Sequence, residues 1–322
     1  MQIPKIIHYF YDDIDIWEKG KNPQIRMCML SWKKYCPDYK IMLWHDKHPE
    51  FKQILKQSLF VRKAYQLKLW AFVSDYVRLY ALYKYGGIYL DTDVQLLKNF
   101  DMFLNDGLFM SIEGDTVDNE NIPESAIIGA IPQHPLIENT MKFYQDDSIF
   151  FDSNPIAPVI MKKSLNNLTG FTKIPYISDD IAQRAEFFYK ANQRINDIDI
   201  YRGQQIFRDN KNNLSIYPCE YFCPSWFCFK EEGITDNTVS IHWNQSSWWQ
   251  KDVFEKLRNS IRPKIVKTTE KYKIFSIPVY KKTIKGNKTK ISVLGIMRIK
   301  KTAEKFKMYF LFIPLLKIKR KS

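Results

Sequence analysis

The sequence predicts an α/β main domain followed by a small basic appendage. Short apolar segments of strand type alternate with amphipathic helices through the first 250 residues, and a chain of 322 residues can bury a core of this class. Charge then divides the chain, because residues 251–322 carry 22 basic and 4 acidic side chains whereas residues 1–250 carry 27 and 31. We therefore expect a main domain over residues 1–262 and an appendage over residues 263–322.

The first third of the chain establishes the alternation. Apolar runs predict strands within residues 3–11 and 39–44. Polar and apolar residues at helical spacing predict helices over residues 22–35, 50–59 and 64–85. The last of these helices leads directly into the most informative stretch of the sequence.

That stretch runs from Ser74 to Asp93 and reads SDYVRLYALYKYGGIYLDTD. Asp75 and Arg78 are three residues apart and share one face of the predicted helix. A Gly-Gly pair supplies the left-handed conformation that ends a helix, and an apolar strand over residues 88–90 follows. The helix, its glycine stop and the strand together predict a fixed position for the residues that follow the strand.

Asp91 and Asp93 come next, at the point where this strand ends. Ligands of open α/β sheets bind beyond the carboxyl ends of the strands. Two carboxylates in that position suit Mg²⁺ or Mn²⁺ that also holds a diphosphate. A D-x-D pair taken alone is common on solvated loops, so the prediction depends on the elements that precede it.

The rest of the main domain continues the pattern. Further strands and helices are expected over residues 94–104, 108–113, 126–133, 134–147, 156–165, 179–192 and 239–241. Gly129 lies in one of these strands, and its missing side chain would let the backbone approach a ligand, which the family resemblance given below implies to be a sugar.

The appendage is internally repetitive. Three segments run from apolar residues through Gly or Pro to a basic cluster: YKIFSIPVYKKTIKG, KISVLGIMRIKK and MYFLFIPLLKIKRK. Short β segments are one interpretation. A surface for anionic lipid and a surface for nucleic acid are two others. No nucleic-acid-binding motif accompanies the basic residues, so the membrane surface is favoured.

Bulk features favour a cytoplasmic protein at the inner face of a membrane. The N-terminus lacks the pattern of a signal peptide, and no apolar run reaches the roughly 18–20 residues that span a bilayer. The five cysteines show no zinc-site spacing and are expected to be reduced thiols.

The S-D-x-x-R helix, the Gly-Gly stop and the D-T-D sequence together resemble the signature of glycosyltransferases with a D-x-D sugar-binding region. That family includes yeast-type α-mannosyltransferases and bacterial capsular polysaccharide transferases, and the glucosylating clostridial toxins are more distant relatives. The resemblance covers roughly residues 1–250 and includes a first strand of I-H-x-x-W type and a closing H-x-x-x-x-S-W element. It implies a GT-A-type fold, a Rossmann-like mixed sheet flanked by helices.

The resemblance also implies the functional residues. Asp91, Asp93 and His242 would hold the metal ion, and this oxygen and nitrogen set favours Mn²⁺ over Mg²⁺. Glu113, at the end of the strand after the D-x-D, would lie near the acceptor. The catalytic residues would be Asp75, Arg78 and Asp91. The residues that bind the nucleotide sugar would be Tyr11, His8, Asp75, Arg78, Asp91, Ser247 and Trp248.

The implied reaction is a retaining, metal-dependent transfer from a nucleotide sugar, with a UDP-sugar favoured. The acceptor would be a glycan or lipid-linked saccharide of bacterial capsule synthesis, recognised within residues 148–214. The chain departs from the family where Tyr11 replaces Trp and where Ser125 replaces a frequent Asn.

Two other functional classes stay open. The run I-Y-L-D-T-D-V also fits the first motif of haloacid-dehalogenase-type phosphatases, with Asp91 as nucleophile and Asp179 and Asp180 as an acidic pair. That interpretation leaves the S-D-x-x-R helix without a role. A non-catalytic carbohydrate-binding protein is the other alternative.

Overall fold

The computed structural model describes residues 1–12, 15–16, 22–113, 122–175, 177, 180, 183, 204–224, 234–244, 252–261, 267–274, 277–285, 288–293, 297–301, 305–310 and 313–319. The chain divides into two compact units, Met1–Ser260 and Ile261–Ser322. The division falls two residues before the predicted boundary.

A seven-stranded mixed sheet forms the centre of the first unit. Its strands are β1 (Ile6–Phe10), β2 (Lys40–Trp44), β3 (Gly87–Leu90), β5 (Leu108–Ser111), β6 (Ile127–Ala130), β7 (Phe207–Asp209) and β8 (Leu214–Tyr217), in the order β2-β1-β3-β6-β5-β8-β7. Strand β1 is parallel to β2 and β3, and β5 is parallel to β8, whereas the other pairs are antiparallel. Two further strands, β4 (Val94–Leu96) and β9 (Ser240–His242), form a separate antiparallel pair. The predicted α/β fold class is confirmed.

Helices occupy the connections between these strands. They are α1 (Pro23–Tyr35), α2 (Phe51–Gln57), α3 (Leu59–Gln66), α4 (Trp70–Tyr85), α5 (Pro135–Gln145), α6 (Ala157–Thr169) and α7 (Val253–Ile261), with 3₁₀ turns at Asp101–Phe103, Asp147–Phe151 and Cys219–Tyr221.

Two helices differ from the prediction. The single helix expected over residues 64–85 is two helices, because the backbone leaves the helical conformation at Lys68, whose φ is 57°. Helix α7 was not predicted. Most of the helix expected over residues 179–192 lies outside the described residues.

The two glycines after α4 fix how the helix feeds the sheet. Gly86 ends α4 with a φ of 62°, and its amide donates to Leu82 O at 2.9 Å. Gly87 has a φ of 103°, and a Cβ on it would lie 2.6 Å from the carbonyl oxygen of Ile6 in β1. Strand β3 can therefore pair closely with β1 only because glycine stands at its start.

Gly129 has a different role from the one expected. It pairs in register with Ile88 of β3, and a Cβ on it would overlap the ring of Phe109. Packing inside the sheet therefore accounts for this glycine, and the expected approach to a sugar does not.

The second unit is a six-stranded antiparallel sheet in sequential order. Its strands are β10 (Lys267–Ile274), β11 (Ile277–Lys285), β12 (Lys288–Val293), β13 (Met297–Lys301), β14 (Lys305–Phe310) and β15 (Ile313–Lys319). The repeats are thus short β segments, as one of the interpretations held. Within the described part of the chain, no helix is long and apolar enough to cross a membrane.

Candidate active site

The topology of the sheet brings several acidic residues to one edge. The parallel strands β1 and β3 end at the same edge, and β6, being antiparallel to β3 and β5, begins there. Asp91 follows β3, Glu113 follows β5, and Glu124 precedes β6. This is the edge at which open α/β sheets bind ligands.

The D-T-D segment is held in place by backbone hydrogen bonds. The Asp91 amide donates to Ala126 O at 2.9 Å, and the Trp243 amide donates to Asp93 O at 3.1 Å. Val94 of β4 is the register partner of His242 in β9. The β4–β9 pair therefore places His242 beside Asp93, although the two lie about 150 positions apart in sequence.

An acid–imidazole–acid chain results. His242 Nε2 lies 3.5 Å from Asp93 Oδ1, and His242 Nδ1 lies 3.3 Å from Glu124 Oε2. Burial alone would lower the pKa of His242, but the Glu124 charge and the hydrogen bonds to Asp93 and Glu124 raise this pKa well above its usual value. The two carboxylates therefore favour positive charge on the His242 ring.

Arg78 links the predicted donor-binding residues. Its Nη2 lies 3.0 Å from Asp75 Oδ1 and 3.5 Å from Asp91 Oδ1, and its Nη1 donates to Ser125 O at 2.5 Å. The guanidinium also lies over the Tyr89 ring, 4.7 Å from its centroid. The side chain of Arg78 is 4% exposed, whereas that of Asp91 is 29% exposed. Asp91 is thus the member of the cluster that a ligand reaches.

Burial perturbs the carboxylates of the site. It raises the pKa of Asp75 to about 6, although the Arg78 charge opposes the shift. It raises the pKa of Asp91 as well, again against Arg78 and with the Asp93 charge adding to the rise. Burial and the Glu124 charge raise the pKa of Glu113. Perturbed carboxylates gathered at a sheet edge are typical of a functional site.

Of the predicted nucleotide-binding residues at the first strand, one is placed differently. His8 is fully buried; Trp44 Nε1 donates to its Nδ1 at 3.1 Å, and its Nε2 lies 2.8 Å from Gly86 O. Both ring nitrogens are engaged inside the core, so His8 supports the β1–β3 pairing, and the nucleotide-binding role predicted for it stays a prediction.

The other predicted binding residues remain predictions. Tyr11 is half-buried directly after β1, at the same edge as Asp91, and its amide donates to Trp44 O at 3.0 Å. Ser247 and Trp248 lie outside the described residues. The Glu124 charge raises the pKa of Glu113 and the His242 charge lowers it, so Glu113 lies near both residues.

Two side chains at this edge of the sheet fit a divalent metal ion. Asp93 Oδ1 and His242 Nε2 are close enough to contact one ion together, whereas Asp91 pairs with Arg78. In the part of the chain that is described, no group of three or more His, Cys, Asp and Glu side chains is arranged to hold a metal. Ions that bind nucleotides take only one or two protein ligands beside phosphates and water, so the Asp93–His242 pair fits such an ion.

Glu124 is the residue that sequence reasoning missed. It is 2% exposed, and its Oε1 accepts the Ala126 amide at 2.7 Å. In sequence it ends a polar loop rich in acidic residues, directly before a buried strand. Only the antiparallel placement of β6 against β3, which the sequence does not encode locally, distinguishes it from its neighbours.

Comparison with known proteins identifies the segment that carries the site. Residues 23–110 match the family model of the glycosyltransferase sugar-binding region containing the DXD motif. This segment includes Asp75, Arg78, Asp91 and Asp93. The resemblance seen in the sequence is therefore confirmed.

Two sequence relatives agree with this match. A mannosyl phosphorylinositol ceramide synthase of Saccharomyces cerevisiae is 30% identical over 146 residues, which cover 44% of this chain and 35% of the relative. A glycosyltransferase of Acanthamoeba polyphaga mimivirus is 25% identical over 253 residues, which cover 76% of this chain and 84% of the relative. The solved PaToxG glycosyltransferase matches 58% of this chain and 75% of its own at 20% identity, with a TM-score of only 0.40. The chain thus spans about a third of the length of the yeast relative.

Proposed function

We propose that this chain, which carries the DXD sugar-binding region of the glycosyltransferases, transfers a sugar from a nucleotide sugar to a glycan or lipid-linked acceptor. The observation that carries the proposal is that two clusters of charged side chains lie at the same edge of the sheet. Arg78 binds Asp75 and Asp91, and His242 lies beside Asp93. A phosphatase would use the carboxylate of Asp91 as its nucleophile. That alternative gives no role to Arg78, although Arg78 contacts this same carboxylate.

The reaction requires compensation of developing charge. Breaking a sugar–diphosphate bond places negative charge on the departing phosphate and oxocarbenium-like positive charge on the sugar. Asp93 and His242 would hold Mn²⁺ or Mg²⁺, which when bound supplies positive charge to the diphosphate. The carboxylates of Asp75 and Asp91 supply negative potential on the sugar side of the bond.

Arg78 and Asp91 have different roles in binding the donor sugar. The exposed side of Asp91 can accept hydrogen bonds from sugar hydroxyls, since its other side is fixed by the guanidinium. Arg78 is itself almost completely enclosed and engaged by Asp75, Ser74 and Ser125. Its main action is therefore to hold Asp91 in one orientation.

Glu113 is assigned to the acceptor side. Because burial and the Glu124 charge raise its pKa, a larger share of Glu113 is protonated at a given pH than of an ordinary carboxyl. A protonated carboxyl donates a hydrogen bond, so Glu113 can orient an acceptor hydroxyl without removing its proton. Proton removal would then fall to the departing phosphate, in a transfer with retention at the anomeric carbon.

The names of the relatives suggest which substrates to test first. The yeast relative forms a mannosyl phosphorylinositol ceramide, and a Schizosaccharomyces pombe relative is an inositol phosphoceramide mannosyltransferase. Mannosyl donors therefore join UDP-sugars as candidates, and lipid-linked saccharides are the preferred acceptor class. Bacterial capsule synthesis is the setting that the sequence suggested.

The proposal is tested by a thermal-shift screen of UDP- and GDP-sugars with and without Mn²⁺. A matching donor should raise the Tm of the wild type in a metal-dependent way and leave Asp93→Ala unshifted. Asp209→Ala, a carboxylate of β7 engaged with its own loop, is the matched control and should respond like the wild type. A panel without any shift in the wild type would contradict the proposal.

We further propose that the six-stranded sheet binds an anionic membrane surface. Register places twelve basic residues on one face, with no acidic residue among them: Lys267, Lys271, Lys281, Lys285, Lys288, Lys290, Arg298, Lys300, Lys305, Lys307, Lys317 and Lys319. Register partners of like charge destabilise a sheet, so an anionic surface against this face would stabilise it. Anionic lipids mark the cytoplasmic leaflet, where we therefore place the protein.

A pair of matched double variants tests the membrane proposal. Lys290→Gln with Lys300→Gln removes two charges from the basic face, whereas Lys282→Gln with Lys301→Gln removes two from the opposite face. At about 1 kcal/mol for each lysine, the first double variant should bind phosphatidylserine vesicles about 30-fold more weakly. The second should change binding much less. Equal losses for both variants would contradict the assignment of the basic face.

A further inference from the structure

We propose that Glu124 is a positioning residue for His242 as a metal ligand, an inference that rests on the proposed function. Glu124 Oε2 lies 3.3 Å from His242 Nδ1, and the other ring nitrogen lies 3.5 Å from Asp93 Oδ1. Each nitrogen of the imidazole therefore faces one carboxylate. Only one of the two carboxylates belongs to the DXD segment.

Glu124 is well fixed for this task. Its Oε1 accepts the Ala126 amide at 2.7 Å, and its own amide donates to Ser111 O at 2.7 Å. The side chain is 3% exposed. A carboxylate that is anchored to the start of a central strand and removed from water determines the orientation of the ring bonded to it.

The contact also selects a tautomer. An ionised carboxylate only accepts hydrogen bonds, so the His242 nitrogen that faces Glu124 carries a proton. When the ring loses its other proton, the lone pair is therefore on Nε2, the nitrogen beside Asp93. Because a metal ion binds through a lone pair, Glu124 holds His242 in the form that can join Asp93 as a ligand.

Glu124→Gln reverses this selection with almost no change in size. When the amide oxygen keeps the hydrogen bond from Ala126, the NH₂ group faces His242 Nδ1 and donates to it. The proton of the ring then resides on Nε2, which cannot bind a metal. We expect the Kd for Mn²⁺ to rise about 10–100-fold.

The experiment is a titration of the full-length chain with MnCl₂, alone and with UDP. Electron paramagnetic resonance follows free Mn²⁺, and electron spin echo envelope modulation detects a nitrogen bonded to the ion. The nitrogen signal should be present in the wild type and lost in Glu124→Gln and His242→Ala. Glu138→Gln, which alters an exposed carboxylate 3.0 Å from Lys142, is the matched control and should keep affinity and signal.

A double variant separates positioning from direct binding. Adding Glu124→Gln to His242→Ala should cause no further loss of Mn²⁺ affinity, because the residue acts through the ring. Glu124→Asp draws the carboxylate back by one methylene and should cause a smaller rise in Kd with the nitrogen signal retained. It also provides a second reading should Glu124→Gln fail to fold.

Each contrary outcome has a distinct meaning. Wild-type affinity with a retained nitrogen signal in Glu124→Gln overturns the inference and leaves the proposed function intact. Further loss in the double variant overturns it too, by assigning Glu124 a direct bond to the ion. Wild-type Mn²⁺ affinity in Asp93→Ala contradicts the proposed function, and the inference with it.

Discussion

Replacing Arg78 with lysine should damage the chain although the positive charge is kept. The guanidinium donates to Ser125 O, Ser74 and Asp75 at once and lies over the Tyr89 ring. An ammonium is a point donor on a flexible stem and cannot span these partners. At least the buried carbonyl of Ser125 then loses its donor.

The magnitude follows from the contacts that are lost. A buried acceptor left without a partner costs about 1–3 kcal/mol, and the lost stacking on Tyr89 adds about 0.5–1 kcal/mol. We therefore expect Arg78→Lys to lower the free energy of unfolding by about 1.5–4 kcal/mol. Arg78→Met leaves the buried carboxylate of Asp75 and the half-buried one of Asp91 without their cation and should cost about 3–5 kcal/mol.

Urea unfolding followed by tryptophan fluorescence provides the assay. All eight tryptophans lie before residue 250, so the signal reports the first unit alone. Arg208→Lys is the matched control, since Arg208 pairs with Asp106 at 3.2 Å but its side chain is 50% exposed; it should cost under about 1 kcal/mol. The reasoning is refuted if Arg78→Lys costs no more than this control. Donor turnover by Arg78→Lys should fall as well, because Asp91 loses its fixed orientation.

Two more predictions concern the core beneath the site. Burial lowers the pKa of His8 to about 4 from 6.5, so its contribution to stability is complete above pH 6.5 and is lost as the pH falls towards 4. Acidification from pH 7 to 4.5 should therefore destabilise the wild type by about 2–3 kcal/mol more than His8→Gln, measured by urea unfolding; equal losses would show that His8 is not buried neutral. Gly129→Ala should cost about 1–3 kcal/mol in the same assay, because its Cβ overlaps the Phe109 ring. An unchanged unfolding midpoint would mean that β5 can shift to make room.

Local patterns were sufficient to predict most elements that build the site. The Gly-Gly stop and the strand-terminal carboxylates require particular backbone conformations, and such requirements are visible in a single sequence. Asn22, which caps α1, and Pro23 at its first turn are equally direct signals. Helical spacing alone predicted that Asp75 and Arg78 share one face, whereas their grouping with Asp91 was implied by the family resemblance.

The remaining features depend on tertiary packing. Nothing in Leu67, Lys68 and Leu69 opposes a helix locally, so the break between α3 and α4 could not be predicted, although Ser58 does cap α3 through Val61. The structural role of His8 depends on Trp44 and Gly86, which are distant in sequence. Sequence patterns reveal constraints from residues nearby in sequence, but they do not reveal contacts with residues that are close only in the folded structure.

Glu124 is the clearest example of that limit. Its importance follows from the pairing of β6 with β3 and of β9 with β4, which bring Glu124 and His242 together. Such non-local pairing has no signature within a window of the sequence. An acidic residue before a buried strand is informative only once the direction of that strand is known.

The most direct test of the account is the slow hydrolysis of a nucleotide sugar without acceptor. Full-length protein is incubated with the donor selected by thermal shift, with Mn²⁺ or with EDTA, and the released nucleoside diphosphate is measured. We predict release that requires Mn²⁺ and that falls at least 100-fold in Asp93→Ala, a loss of about 2.7 kcal/mol in transition-state stabilisation, with the Tm unchanged. Full release by Asp93→Ala in EDTA, or turnover of a simple phosphomonoester in place of the nucleotide sugar, would contradict it.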